Sequence, residues 1–137
     1  MNTIIDNFKR VYKRLNARNI NLLETIYDDN VTFIDPFHEI QGLTTLVAYF
    51  SSLYRNIESC QFEFGEVYSK NASAMITWNM ALRHRSLSKT VIEVSGSTQI
   101  RFDAKISFHR DYFDAGQMVY ENIPVIGSAI KYIKHKV

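Results

Sequence analysis

The chain has one cysteine, Cys60, one tryptophan, Trp78, and two prolines in 137 residues. A lone cysteine excludes an internal disulfide and a cysteine-based metal centre. In its strand context, Cys60 reads as a small buried hydrophobe. No apolar run approaches the roughly 18 residues of a membrane span. The start, Met1-Asn2-Thr3-Ile4-Ile5-Asp6, lacks the basic and long apolar segments of a secretory leader, so a cytoplasmic protein is expected. Neither sign of charge dominates: the net charge is +2 and the pI about 8.7, and no nucleic-acid partner is expected. The chain has no Gly-x-Ser-x-Gly elbow, no phosphate-cradling glycine loop and no metal-ligand motif. Nucleophilic hydrolysis, nucleotide binding, a resident metal and a cofactor are therefore not expected. With no repeat, linker or low-complexity stretch, residues 1–137 read as a single domain.

What is present is a core. Hydrophobic residues make up 46% of the chain and aromatics 13%, which excludes disorder. Ile4, Phe8, Val11, Tyr12 and Leu15 follow helical spacing, with Lys9, Arg10, Lys13 and Arg14 largely opposite. A short second helix is expected from Ile20 to Tyr27, and Asp28-Asp29-Asn30 reads as a turn before a strand. Pro36 ends that strand. After Gly42, a third helix carries Leu46, Val47, Phe50, Leu53 and Tyr54 as its stripe.

From Ser59 the period changes from 3.6 to 2. Phe62 and Phe64 alternate with Gln61 and Glu63, and Ser69-Lys70-Asn71 reads as a hairpin turn. Ile76, Trp78, Met80 and Leu82 share a face, as do Ile92, Val94, Gly96, Thr98, Ile100 and Phe102. From Gly116 onward helical character returns, and Lys131-Tyr132-Ile133-Lys134-His135-Lys136 is a basic amphipathic tail. That tail reads as a solvated face, with membrane contact not expected. The expected fold class is α+β: a cone-shaped, strongly curved, mostly antiparallel sheet wrapped around the N-terminal helices.

Two carboxylates fall where this pattern predicts a dry interior. Val31, Phe33 and Asp35 alternate on one strand, and His109, Asp111 and Phe113 on the last. A buried carboxylate is costly unless it is paired, hydrogen-bonded or protonated. Asp35, Asp111 and His109 are therefore the candidate catalytic residues, with imidazole able to take or give a proton near neutral pH. Tyr12, His38, Trp78, Met80, Thr98 and Phe113 are the candidate ligand contacts, and Phe33, Phe62 and Phe64 would line the deeper end. The plainer alternatives are that Asp35 caps a turn beside Pro36 and that Asp111 pairs with Arg110 at the surface.

Leu15-Asn16-Ala17, followed by Asp28-Asp29-Asn30-Val31-Thr32-Phe33-Ile34-Asp35-Pro36, resembles a segment of the ketosteroid isomerases. The chain as a whole resembles the nuclear-transport-factor-2-like superfamily, which also holds the SnoaL-like polyketide cyclases. The resemblance implies a cystatin-like α+β barrel. It puts the isomerases' general base on Asp35, and the acidic residue on the cyclases' last strand on Asp111. The isomerase oxyanion hole combines a helix tyrosine with a protonated strand aspartate. This chain has Val11, with Tyr12 beside it, and Thr98 at those positions. Limonene-epoxide hydrolases of the superfamily use an Asp-Arg-Asp arrangement, whereas Arg83 and Arg101 here fall on the outward face. The resemblance thus implies a pocket for a small apolar or amphipathic molecule. Either a buried Asp performs acid/base chemistry there, or the domain binds or dimerises without catalysis. A homodimer is expected through the outer sheet face, where Thr77, Asn79, Ala81, Ser95, Ser97, Gln99, Phe108 and Tyr112 carry little charge.

Overall fold

The computed structural model describes residues 2–85 and 91–118. Helix α1 spans Thr3–Arg14. Its N-cap is Asn2, whose side chain accepts from the amides of Ile4 and Ile5, two donors that have no partner within the helix. Ile5, Phe8, Val11 and Tyr12 form its buried stripe. A 3-10 helix covers Ile20–Thr25, shorter than the expected second helix. Strand β1 then opens at Tyr27 and runs to Ile34, so Asp28-Asp29-Asn30 lie within a strand and not in a turn. The pairing register shifts between Tyr27 and Thr32, and this irregularity accommodates three polar residues in a strand whose other inward positions are apolar.

A three-residue strand, β2 (Glu39–Gln41), was not foreseen; it pairs with β1 across the Asp35–His38 turn. Helix α2 spans Leu43–Arg55 and buries Leu43, Leu46, Phe50 and Tyr54. Four long strands follow: β3 (Ile57–Lys70), β4 (Ser73–His84), β5 (Ile92–Phe102) and β6 (Ile106–Phe113). A short helix, α3 (Ala115–Met118), ends the described chain, so the expected basic tail lies outside the described residues.

The sheet has six strands in the order β2-β1-β6-β5-β4-β3, is curved and does not close. The expected α+β architecture, a cone of mostly antiparallel strands around N-terminal helices, is what the chain adopts. Strands β3 to β6 pair antiparallel, while β1 lies parallel to β6. That parallel pair sets the site. Phe33 is opposite His109 and Ile34 opposite Arg110, so one further step brings Asp35 alongside Asp111. Adjacent strands run about 4.8 Å apart, and both carboxylates are carried on the concave face.

Gly96 of β5 has a packing role. A Cβ built there would lie 2.5 Å from Trp78 Cη2 and 2.6 Å from the Tyr112 carbonyl oxygen. The indole thus lies flush over the strand where any side chain would lift it. Gly96→Ala is expected to destabilise by about 1–3 kcal/mol, since one of the two neighbours is backbone and cannot yield. Urea unfolding would read this as a lowered midpoint at unchanged slope.

Candidate functional site

The concave face encloses a cavity of about 90 Å³ between the sheet and helices α1 and α2. Its wall is apolar apart from Asp35, Asp111, Cys60 and the hydroxyls of Tyr12, Tyr49 and Tyr54. Trp78, Met80 and Phe113 line it, as do Phe33 and Phe62. Phe64 does not; it packs between Phe8 and Phe62.

The centre of the site is a chain of hydrogen bonds running along the inward face. Trp78 Nε1 donates to Thr98 Oγ1 at 2.8 Å, and Thr98 Oγ1 donates to Asp111 Oδ1 at 2.6 Å. His109 Nε2 lies 2.7 Å from the same Oδ1. On the other side of the ring, Nδ1 lies 2.7 Å from the Tyr27 hydroxyl, which is 2.6 Å from the Tyr12 hydroxyl. With Asp111 as a carboxylate, the directions follow from the donor inventory. Thr98 Oγ1 and His109 Nε2 donate to Oδ1; with a neutral imidazole Nδ1 accepts from Tyr27 and Tyr27 from Tyr12, and with a protonated one both of these bonds run the other way. No fully buried side-chain nitrogen or oxygen among the described residues lacks a partner. Asp111 Oδ2 carries no protein hydrogen bond among the described residues, and Asp111 lines the cavity.

Burial decides what each member does. His109 is 1% exposed and stacks on Phe33 at 4.4 Å between ring centroids, so it stands behind Asp111 and not in the cavity. Asp111 keeps 18% of its side chain accessible. Burial pushes the Tyr12 and Tyr27 phenols well above the usual tyrosine range, and both stay protonated as donors at neutral pH. Helical spacing over Ile20 to Tyr27 hides Tyr27 from a sequence reading of the site. Its full burial as the first residue of β1 comes from the 3-10 helix ending two residues early.

Asp35 is placed differently. Its Oδ1 accepts from the Phe37 and His38 amides, both at 2.8 Å, and its Oδ2 accepts from Tyr49 at 2.6 Å. It caps the turn beside Pro36 while also lining the cavity. Burial, then the hydrogen bond to Asp35, raises the Tyr49 phenol far above its usual range. Two expected ligand contacts sit elsewhere. His38 is exposed, because the turn that Asp35 caps swings its ring onto Tyr49, 5.0 Å away. Thr98 is fully buried beneath Asp111 and touches no cavity space. Burial raises the Cys60 thiol to about 11, so it is not a thiolate nucleophile.

Residues 8–110 match the family model described as a SnoaL-like domain. The chain belongs to the SnoaL-like domain family. The match runs from the middle of α1 into β6 and includes Asp35 and His109, while Asp111 lies just beyond it. No curated protein matches the sequence.

Solved structures show the same fold for this SnoaL-like domain. A protein with a ketosteroid isomerase-like fold from Catenulispora acidiphila, solved with trimethylamine, superposes with a TM-score of 0.74 at 16% identity, over 84% of this chain and 88% of that one. An LEH-like epoxide hydrolase from M. tuberculosis gives 0.70 at 14% identity, over 94% and 92%. An NTF2-like protein of unknown function from Burkholderia pseudomallei gives 0.75 at 12% identity, over 86% and 95%. At such identities the likeness is one of fold. Among the described residues of the SnoaL-like domain, no helix is long and apolar enough to cross a membrane. No group of three His, Cys, Asp or Glu among them is arranged to hold a metal ion.

Proposed function

We propose that this SnoaL-like domain catalyses proton transfer at carbon in a small substrate, with Asp111 as the base. The observation that carries this reading is the hydrogen-bond chain ending on Asp111. One carboxylate oxygen is fixed by His109 and Thr98, and the other has no protein hydrogen bond among the described residues, on a side chain that lines a largely apolar cavity. Oδ2 would take a proton from a carbon acidified by an adjacent carbonyl, and the electron pair of that C–H bond would move into the enolate. The same carboxyl would return the proton to another atom of the substrate, so isomerisation needs no co-reactant. His109 and Thr98 are positioning residues: they aim the carboxylate and do not touch substrate. Tyr49, which shares its O–H with Asp35 at rest, is the phenol donor available at the cavity wall.

Two neighbouring chemistries fit less well. A cavity of about 90 Å³ holds roughly three water volumes, far from a steroid nucleus. Of the two isomerase oxyanion positions, Val11 is apolar and Thr98 spends its proton on Asp111. Turnover of a standard steroid enone precursor is therefore expected to be undetectable above buffer, since loss of one such donor alone typically costs about 10²–10³ in rate. No arginine lines the cavity among the described residues, so the Asp-Arg-Asp arrangement for activating water is incomplete.

A second reading, binding without turnover, draws on Asp35, whose two oxygens are both held by protein donors as a fixed polar anchor. Small enolisable ketones and β-dicarbonyls incubated with the protein in D2O separate the two. Catalysed deuterium incorporation at carbon is expected for at least one. A panel that shows none, while a member raises Tm, selects binding.

We also propose that the domain works as a homodimer through the outer sheet face. There Thr77, Ala81, Ser97 and Gln99 are half-buried, and the guanidinium groups of Arg101 and Arg110 sit over the Phe108 and Tyr112 rings. Light scattering at micromolar concentration is expected to give about twice the 16.0 kDa chain mass. Ala81→Arg should reduce it to one chain mass; an unchanged dimer would remove this face as the interface.

A further inference from the structure

We propose that the cavity recognises a methylated ammonium head group. Nine of its sixteen lining residues are aromatic, against 13% aromatics in the whole chain. They are not scattered. Phe50, Tyr12, Phe62, Trp78, Phe113 and Phe37 form a continuous arc, each ring within 5.5–6.2 Å of the next. Phe62 meets both Tyr12 and Trp78 edge to face at 82°, so these rings do not stack on one another. The arc ends at Phe37, the exposed lining residue, where a tail could leave the cavity.

Charge points the same way. The wall carries Asp35 and Asp111 but no lysine, arginine or histidine among the described residues. Asp111 Oδ1 is shared by His109 and Thr98 behind the wall, and Asp35 is held by two amides and a phenol. The cavity wall itself thus offers neither carboxylate a cation among the described residues. Aromatic faces attract ammonium groups, most strongly where water is excluded, and quaternary ammonium is the form that needs no hydrogen-bond acceptors. The volume of about 90 Å³ suits a head group of a few heavy atoms. A neutral apolar ligand would fill the space but bring no cation to the cavity side of either carboxylate.

This inference rests on the proton-transfer reading only in making the bound molecule a substrate; the recognition itself stands on the cavity wall. Trp78 is the single tryptophan and lines the cavity, so its fluorescence reports on the site directly. Choline and 3,3-dimethylbutan-1-ol, which differ in nitrogen against carbon at the charged centre, are titrated in parallel at matched ionic strength. Choline is expected to saturate the Trp78 signal with an affinity at least about ten-fold above that of the alcohol, as a desolvated cation–π contact implies. Asp111→Asn should reduce that ratio several-fold. Phe113→Leu, at a half-exposed position that tolerates change, should weaken choline more than the alcohol. Equal affinities, no saturable signal from either compound, or a ratio unmoved by both variants would overturn the proposal. Discrimination for choline with no deuterium exchange in any ketone would remove the proton-transfer reading and leave this one intact; exchange without discrimination would do the reverse.

Discussion

Asp111→Asn is expected to slow catalysed deuterium exchange by about 10²–10⁴-fold, the usual contribution of a positioned general base. The substitution is close to isosteric. An amide oxygen at the Oδ1 position would still accept from His109 Nε2 and Thr98 Oγ1, so the hydrogen-bond chain and the fold are kept. What changes is the second atom, which becomes an N–H₂ that cannot take a proton. The loss should therefore fall on kcat, with Tm little altered. Asp35→Asn is the informative comparison. Its carboxylate is already committed to two amides and Tyr49, so its loss should cost less than about ten-fold in rate and appear instead in stability. The opposite result, exchange abolished by Asp35→Asn and kept in Asp111→Asn, would return the base to the residue that the ketosteroid isomerase resemblance selects.

The sequence made the long strands legible because their alternation is nearly unbroken. Ile92–Phe102 is β5, and its inward positions, Val94, Thr98 and Ile100 among them, are buried. The same phase placed His109, Asp111 and Phe113 on one face of β6. It could not show that β1 runs parallel to β6, because pairing between segments some 75 residues apart leaves no local trace. That pairing is what sets Phe33 against His109 and Asp35 alongside Asp111. Near Tyr27 the reading failed for a different reason. Leu22, Leu23 and Ile26 have helical spacing, and three polar residues follow, which is the usual signature of a helix and a turn. A 3-10 segment and an irregular strand fit the same letters and turn Tyr27 inward.

The roles of individual polar groups were the least legible. Phase puts Thr98 inward but does not say whether it faces a ligand or another side chain; the 2.6 Å bond to Asp111 decides that. Phase also treats Asp35 and Asp111 alike. Only the turn geometry at Pro36, where two backbone amides converge on Asp35, separates an anchored carboxylate from one with an oxygen left over.

Phe33→Ala is expected to cost about 3–5 kcal/mol of stability, the largest single effect on folding foreseen here. Phe33 is 1% exposed and sits where β1, β6 and α2 meet. Its ring stacks on His109 at 4.4 Å and meets Phe50 edge-on at 5.5 Å, with Tyr49 at 6.1 Å. Truncation removes the transfer energy of a whole phenyl group and opens a void beside a buried imidazole. The neighbours can collapse little, because His109 is held on both ring nitrogens and Phe50 is fixed by Tyr12 and Tyr54. For a domain whose total stability is of order 5–15 kcal/mol, that loss should lower Tm by at least about 10 °C. Phe33→Leu separates packing from stacking: it refills most of the volume and should recover most of the stability. If His109 needs the ring to hold its plane against Asp111, the leucine variant will fold well and still lose part of the exchange rate. A leucine variant with full activity would reduce Phe33 to a space-filling residue.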